Sequence, residues 1–558
     1  MNIKTKENNK FDNNYLKILA VLAFLLIILY FYRLGTIGLI DVDEPRYTEA
    51  AREMLESNNW VVPYFNYTVR YDKPVFFYWL EALSMKVFGI NEFGARLPST
   101  ILAIFTVVMV SRFLKSLYGN TVAITGAIIL STSFEFAALS RFSVTDMTLS
   151  CFITSSIISF FQGYSNLSTS HRFFKQQITE FSIWYLLGFI FLAFAVLTKG
   201  PVAIILVGLI CLPFFWWIKK LEYFYKSNSF YIGAVLFILI AFPWYLAVHL
   251  QTNGDFTKEF FGLHNISRYT SVVSGHKGSA FYFIPVVLIG FLPWTFFLAQ
   301  AINSVIKKGL RELLLSPKEQ LPWFCLWWFL VILLFFSFSK TKLLTYILPM
   351  FPAISILVSL WFNEITSSKF TSFGLVIGLG IFFVFCIGVL YFCLFNLNAM
   401  LPREVKDLKL DYQIVLLAFM LFVGISMSWA SSHRNIPLTF CILSSTFILL
   451  YFCFITFLLP KIDKHSQLLL RTFAKSTPQD VRIITYQIIK PSLIFYSKRK
   501  ITKVDTIGEL QKELLSQNKI AFVTKKKLLE GINLQHVYKW GEDSRYIFYT
   551  NYPSLGNE

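Results

Sequence analysis

Long stretches of this chain carry no Asp, Glu, Lys or Arg, among them Ser116–Phe134, Pro201–Ile218, Ala280–Ile306 and Phe370–Met400. A helix of about 20 apolar residues crosses a bilayer. Several such runs in one chain exclude an ordinary water-soluble fold, because even large soluble domains need polar skins. Composition agrees: of 558 residues, 55% are hydrophobic and 15% charged, against about 25% charged in soluble proteins. The fold class expected is a polytopic α-helical membrane protein.

About thirteen spans are expected, near 15–32, 95–114, 119–138, 144–164, 183–198, 201–218, 231–250, 280–301, 321–338, 343–361, 371–396, 412–430 and 436–459. The polar N-terminus Met1–Asn14 precedes an apolar run without a small-residue cleavage site, so a retained first helix is expected rather than a signal peptide. With that end in the cytoplasm, Arg112/Lys115, Arg172/Lys175, Lys219/Lys220/Lys226, Lys307–Lys318, Lys369 and Arg434 fall in short cytoplasmic loops. That is the bias the positive-inside rule requires. The net charge of +19 is explained the same way, by loops facing anionic membrane lipids, and no nucleic-acid motif is present. All seven cysteines lie in apolar runs without a CxxC pair, which reads as buried thiols rather than disulfides or a zinc cluster.

Two regions stand out on the opposite side. Residues 1–460 form the membrane portion, and its first outer loop, about 34–94, holds two helices expected to lie in the interface, Glu44–Glu56 and Pro74–Phe88. Residues 461–558 carry 17 basic and 9 acidic residues. Strands at Val481–Ile489, Ile520–Thr524 and Tyr546–Thr550, with a helix at Thr506–Ser516, predict a small outer α/β domain.

Ionisable residues at a membrane boundary are costly and are candidates for function. Under this topology Asp43, Arg46, Asp72, Lys73, Asp146, Lys199, His264, Arg268, His276, Lys340, Lys342 and Tyr346 all reach the outer face. Arg141 and Glu135 read as a structural pair, and Glu44 as a helix-capping residue. Cations beside an apolar bundle suit a phosphate whose ester tail lies in lipid. A carboxylate among them suits a developing positive sugar centre or a proton on an acceptor. Transfer of a sugar from a polyprenyl-phosphate carrier uses both, and the absence of a Walker or Rossmann glycine loop speaks against a nucleotide cofactor.

Asp43-Glu44-Pro45-Arg46-Tyr47-Thr48-Glu49 and Tyr71-Asp72-Lys73-Pro74 resemble the opening motifs of bacterial lipid A aminoarabinose transferases and related protein O-mannosyltransferase-like enzymes. The series continues in order through Thr145-Asp146, Thr198-Lys199-Gly200, His264 with Arg268, His276 with Pro293-Trp294, and Ser339-Lys340-Thr341-Lys342 to Tyr346-Ile347-Leu348-Pro349. The resemblance implies a GT-C fold of thirteen spans with an outer α/β domain in the bacterial inner membrane. It implies an undecaprenyl-phosphate sugar as donor and, in the aminoarabinose branch, lipid A as acceptor. It further implies Asp43 and Asp146 as catalytic carboxylates, and Lys73, Arg46, Lys199 and Arg268 as donor-phosphate contacts. Tyr47, Tyr346, Lys342 and His276 would line the pocket, and Asp72 with His264 would share a divalent metal, zinc or magnesium. Two departures stand out: Asp72 is one methylene shorter than the Glu frequent in relatives, and Leu344 stands where a Pro usually precedes the Thr.

The leading expectation is therefore an inverting transferase moving an amino sugar to lipid A. A protein O-glycosyltransferase is the alternative within the enzyme class. A lipid-carrier flippase is the alternative outside it, although a flippase site is expected near the midplane within inverted repeats, and no repeat is evident.

Overall fold

The computed structural model describes residues 3–174, 181–262, 278–367, 374–382, 435–460 and 467–553, apart from single positions within and between these ranges. In chain order its first helices are α1 (Ile3–Phe31), α2 (Asp43–Ser57), α3 (Phe76–Phe88), α4 (Glu92–Tyr118), α5 (Asn120–Thr132), α6 (Phe134–Leu139), α7 (Thr145–Phe174), α8 (Ile183–Lys199) and α9 (Val202–Trp217).

Among the described residues, five helical stretches are each long and apolar enough to cross a membrane: α4, Asn228–Gln251, Pro317–Phe338, Leu344–Ser367 and Ile436–Phe457. Leu16–Phe31, α5, α8 and α9 are shorter apolar helices. The chain is a multi-pass membrane protein, and Asn228–Gln251 shows the reason on its surface, where Val235, Ile238, Leu239, Phe242 and Leu246 are all exposed. In water such a face would be an aggregation surface; in lipid it is the solvated one. At the centre lies α7, packed on α4, α8 and α9. Its Thr148, Ser150, Thr154, Ser155, Ser156 and Ser159 are buried, and Ser156 donates to the Gly188 carbonyl at 2.8 Å. Small hydroxyl residues let neighbouring helices approach closely without a hydrophobic driving force.

Two expected spans are interrupted. The run 119–138 divides at Ser133, whose backbone is extended, into α5 and α6. The run 280–301 divides into Phe283–Gly290 and Thr295–Lys308, which meet at 106°. A break frees backbone groups that lipid cannot satisfy, so they must be met by protein. Here the two breaks meet each other: Phe134 N–H donates to the Leu292 carbonyl at 3.1 Å, and the Trp294 indole donates to Thr132 Oγ1 at 2.9 Å. The expected spans 371–396 and 412–430 lie almost wholly outside the described residues.

After residue 467 the chain forms a five-stranded sheet, β4-β3-β5-β7-β6 in spatial order; the hairpin β1 (Tyr64–Phe65) and β2 (Thr68–Val69) lies between α2 and α3. Strand β3 (Arg482–Tyr486) runs parallel to both β4 (Thr502–Val504) and β5 (Ile520–Lys525). Strand β7 (Tyr546–Thr550) is antiparallel to β5 and to β6 (Tyr538–Glu542). The expected helix is present as Ile507–Leu514, started by a capping box between Thr506 and Glu509. The helix Pro491–Ser497 packs this unit against α2.

Candidate functional site

The ends of several helices bring the candidate residues together. Asp146 occupies the first turn of α7 and Lys199 the last residue of α8. Both positions suit the helix dipole, which favours an anion at an N-terminus and a cation at a C-terminus. Gly200, at φ +83°, ends α8 in a backbone conformation that glycine adopts freely, and its N–H returns to the Val196 carbonyl. The Lys199 ammonium meets the Asp146 carboxylate at 2.5 Å, with each side chain 13% exposed. It also stands 4.7 Å from the centre of the Tyr346 ring, so three expected site residues from three distant segments converge.

The stretch between α1 and α4 supplies a second group. Helix α2 begins at Asp43 with no side-chain cap, so the exposed Asp43 carboxylate is not used as a helix stop. Tyr47, one turn on, is buried; burial first and the nearby Asp43 second push its phenol well above the usual range, while Arg70 opposes them. Asp146 acts on the same phenol, which links the two groups electrically. Arg70 joins this group although sequence reasoning did not select it. Its guanidinium is buried 4.9 Å from the Tyr47 ring and 5.8 Å from both Phe65 and Tyr78. It donates to the Arg46 carbonyl at 2.8 Å and to Asp72 at 2.9 Å. Arg46 itself stands 6.0 Å from the Phe65 ring, and Lys73 is buried. Phe76 stacks on Phe194 at 4.7 Å and meets Phe152 at 5.5 Å, tying the Asp72–Lys73 segment to the helices that carry Asp146 and Lys199.

Other candidates fall differently. Lys342 donates to the carbonyls of Phe336, Ser337 and Ser339 at 3.2, 2.7 and 2.9 Å, closing the end of the helix Pro317–Phe338. His264, Arg268 and His276 lie outside the described residues. Asp72 already faces Arg70, and the described residues contain no group of three or more His, Cys, Asp or Glu side chains arranged to hold a metal.

Two structural expectations need correction. Glu44 is not a cap but a hub: it accepts from Ile40 N–H at 2.8 Å, Ser143 N–H at 2.8 Å, and Arg96 at 2.9 and 2.8 Å. Arg141 does not pair with Glu135; its guanidinium donates to the carbonyls of Leu29, Tyr30 and Tyr32, where the end of α1 leaves acceptors unused. Beside the hub, Glu81 accepts from Thr48 at 3.1 Å and from Ser143. Burial pushes the Glu81 carboxyl well up.

Known proteins resemble this chain in sequence and in fold. The pattern of the dolichyl-phosphate-mannose-protein mannosyltransferase family matches residues 14–254. The undecaprenyl phosphate-alpha-4-amino-4-deoxy-L-arabinose arabinosyl transferase of Shewanella sediminis is 32% identical over 352 residues, 62% of this chain and 60% of that protein. One of the two Proteus mirabilis enzymes of that name is 32% identical over 351 residues, 62% of this chain and 59% of its own. The chain thus matches about three fifths of the length of these relatives. The crystal structure of ArnT from Cupriavidus metallidurans bound to undecaprenyl phosphate superposes with a TM-score of 0.80 at 20% identity, covering 97% of this chain and 99% of that one. Its apo form gives 0.76. The resemblance carried by the motifs therefore holds in sequence and in fold.

Proposed function

From a chain that is a relative of the undecaprenyl-phosphate aminoarabinose transferases and shares their GT-C fold, we infer that this protein transfers an amino sugar of the 4-amino-4-deoxy-L-arabinose type from undecaprenyl phosphate to a phosphate of lipid A. The reaction belongs at the periplasmic face of the bacterial inner membrane. The proposal includes about thirteen spans, a membrane portion to about residue 460, and a periplasmic α/β domain beyond it. The observation that carries it is the meeting of Asp146, Lys199 and Tyr346 at helix ends, within electrical reach of Tyr47 and Asp43.

In the proposed reaction an oxygen of the acceptor phosphate forms a bond to the anomeric carbon as the bond from that carbon to the donor phosphate breaks. The electron pair leaves with undecaprenyl phosphate, which gains negative charge, and a single displacement inverts the anomeric centre. No proton has to move, because the acceptor is already an anion. Fixed cations stabilise the leaving charge most where it develops; Lys73, Arg46, Lys199 and Arg268 have this role in the proposal. Lys199, held by Asp146 at rest, turns to the donor phosphate when it arrives. Asp43 and Asp146 then face the oxocarbenium-like centre, while Tyr47, Tyr346, Lys342 and His276 shape the pocket. The proposal extends to a divalent ion only through Asp72 and His264. Since Asp72 already faces Arg70, no step is assigned to a metal, and exhaustive chelation is expected to change the rate less than about twofold.

The test is purified protein with undecaprenyl-phosphate aminoarabinose and lipid A, read by mass spectrometry and by the anomeric configuration of the product. Sugar on lipid A with inverted configuration supports the reading; a donor that only changes leaflet refutes it in favour of a flippase. The family match over residues 14–254 favours one second reading, transfer to a protein hydroxyl. That reaction needs a base within about 3 Å of the hydroxyl, a role the exposed Asp43 could fill, and labelled peptide in the same assay identifies it.

A further inference from the structure

Arg70 directly follows strand β2, and its N–H donates to the Pro63 carbonyl at 2.8 Å, so its backbone belongs to the hairpin. Its side chain is buried and works in two directions at once. Nη1 donates to the carbonyl of Arg46, in the first turn of α2, at 2.8 Å, and Nη2 donates to Asp72, the neighbour of Lys73, at 2.9 Å. The rings around the guanidinium come from three places: Tyr47 on α2, Phe65 in the hairpin and Tyr78 on α3. Phe65 also receives Arg46, at 6.0 Å, so the two arginines share one ring.

Holding a guanidinium there is costly. Its carboxylate partner is only partly buried, and its own Nε is buried without a hydrogen bond. A well-packed apolar side chain in place of a buried ion pair is often neutral or stabilising, so filling this space does not require an arginine. What an apolar side chain cannot do is grip a carbonyl on one segment and a carboxylate on another. A lysine cannot do it either, because its single ammonium sits on a flexible stem, whereas the arginine fork presents donors in fixed directions. The two groups that the fork holds belong to Arg46 itself and to the residue beside Lys73.

We propose that Arg70 is a positioning residue that fixes the spacing of Arg46 and Lys73 around the donor phosphate and acts on the donor only through them. This rests on the function proposed above, which gives those two cations the phosphate. They come from separate segments, so their spacing decides whether both charges reach one phosphate at once. A misplacement of about 1 Å, even one caused from a distance, can cost on the order of 10²-fold in rate.

The experiment measures binding of undecaprenyl phosphate to the purified full chain, without acceptor and with a chelator present throughout. Arg70→Lys keeps the charge but not the fork, and is expected to weaken binding about tenfold. Arg46→Ala with Lys73→Ala removes both cations yet keeps the Arg46 carbonyl that Arg70 holds. In that background Arg70→Lys is expected to cost less than about twofold, because nothing remains to be positioned. A residue that merely holds the fold costs the same in both backgrounds. Asp72→Asn loosens the fork from its other side; it is expected to weaken binding about threefold, and to add nothing once Arg70→Lys is present. Wild-type affinity in Arg70→Lys, or an equal loss in both backgrounds, would overturn the proposal; should Arg70→Lys fail to fold, undiminished binding by Asp72→Asn would overturn it. Sugar transfer is read separately. A wild type that binds the carrier yet modifies no lipid A counts against the proposed function, and the binding ratios still decide the role of Arg70.

Discussion

Two clusters of buried charge lie side by side in this protein and are built in opposite ways. Around Glu44 and Arg96 the donors and acceptors are well matched: Arg96 bonds Glu44 and the carbonyls of Leu34, Ile37 and Gly38, and Glu44 also holds Ile40 and Ser143. Around Asp146, one bond joins Lys199 and an aromatic face supports it, and nearby the buried Glu135 Oε1 has no hydrogen bond among the described residues. The difference teaches how to tell scaffold from chemistry in one membrane protein. A saturated network specifies a single geometry, whereas an unsaturated one keeps bonding capacity for something that arrives.

The comparison can be broken first at the saturated cluster. Glu44→Ala leaves the Arg96 guanidinium buried without its carboxylate, and the expected loss is about 3–5 kcal/mol of stability. A thermal unfolding midpoint near that of wild type would show that the hub is dispensable. At the open cluster the loss should appear in rate instead. Lys73→Ala is expected to slow transfer on the order of 10²–10³-fold. Asp43→Asn should cost less than about tenfold when the acceptor is a phosphate, because no base is then needed. Equal collapse of the two variants in the lipid A assay would argue for a hydroxyl acceptor. Asp146→Asn removes one charged hydrogen bond, worth roughly 1.5 kcal/mol, and should slow transfer about tenfold while lowering the unfolding midpoint less than Glu44→Ala does.

A pH-dependent effect lies on α2. Burial first, and Glu49 beside it second, push the Glu53 carboxyl up to about 8 from its ordinary 4.5. The unfolded chain releases that proton near 4.5 and the folded one near 8, so the folded state binds more protons between those values and stability falls as pH rises through them. Glu53→Gln is expected to flatten the decline of the unfolding midpoint between pH 5 and 8. An unchanged slope would show that Glu53 ionises in the folded protein as it does in water.

Much of this was legible in residue order. Charge-free runs announced the membrane class, and α2, α3 and three of the five strands of the larger sheet were foreseen within a few residues, because each carries a strong local pattern. Asp146, Lys199 and Tyr346, which the structure brings together, each stand where a hydrophobic run begins or ends. What escaped depends on distant partners. Nothing local marks Ser133 as a break, since its reason is the Leu292 carbonyl far along the chain. Arg70 becomes a site residue only when Tyr47, Tyr78 and Phe65 fold around it. Glu135 and Arg141 look like an ion pair six residues apart, yet the helix end at Tyr30 and Tyr32 claims the arginine. Strand β4 has three residues, one of them Lys503, too short for an alternation to register.

The stretch between α1 and α4 is braced by residues 492–501. Asp41 accepts from Ser492 N–H at 2.9 Å and from its hydroxyl at 2.6 Å, Tyr496 donates to Glu92 at 2.9 Å, and the Asn66 amide exchanges two bonds with Ile501. During biosynthesis the loop that bears Asp43, Arg46 and Lys73 leaves the ribosome more than four hundred residues before its brace. The loop therefore reaches its final shape only after residues 492–501 have been made and folded against it, and a chain stopped near residue 460 would lack that brace.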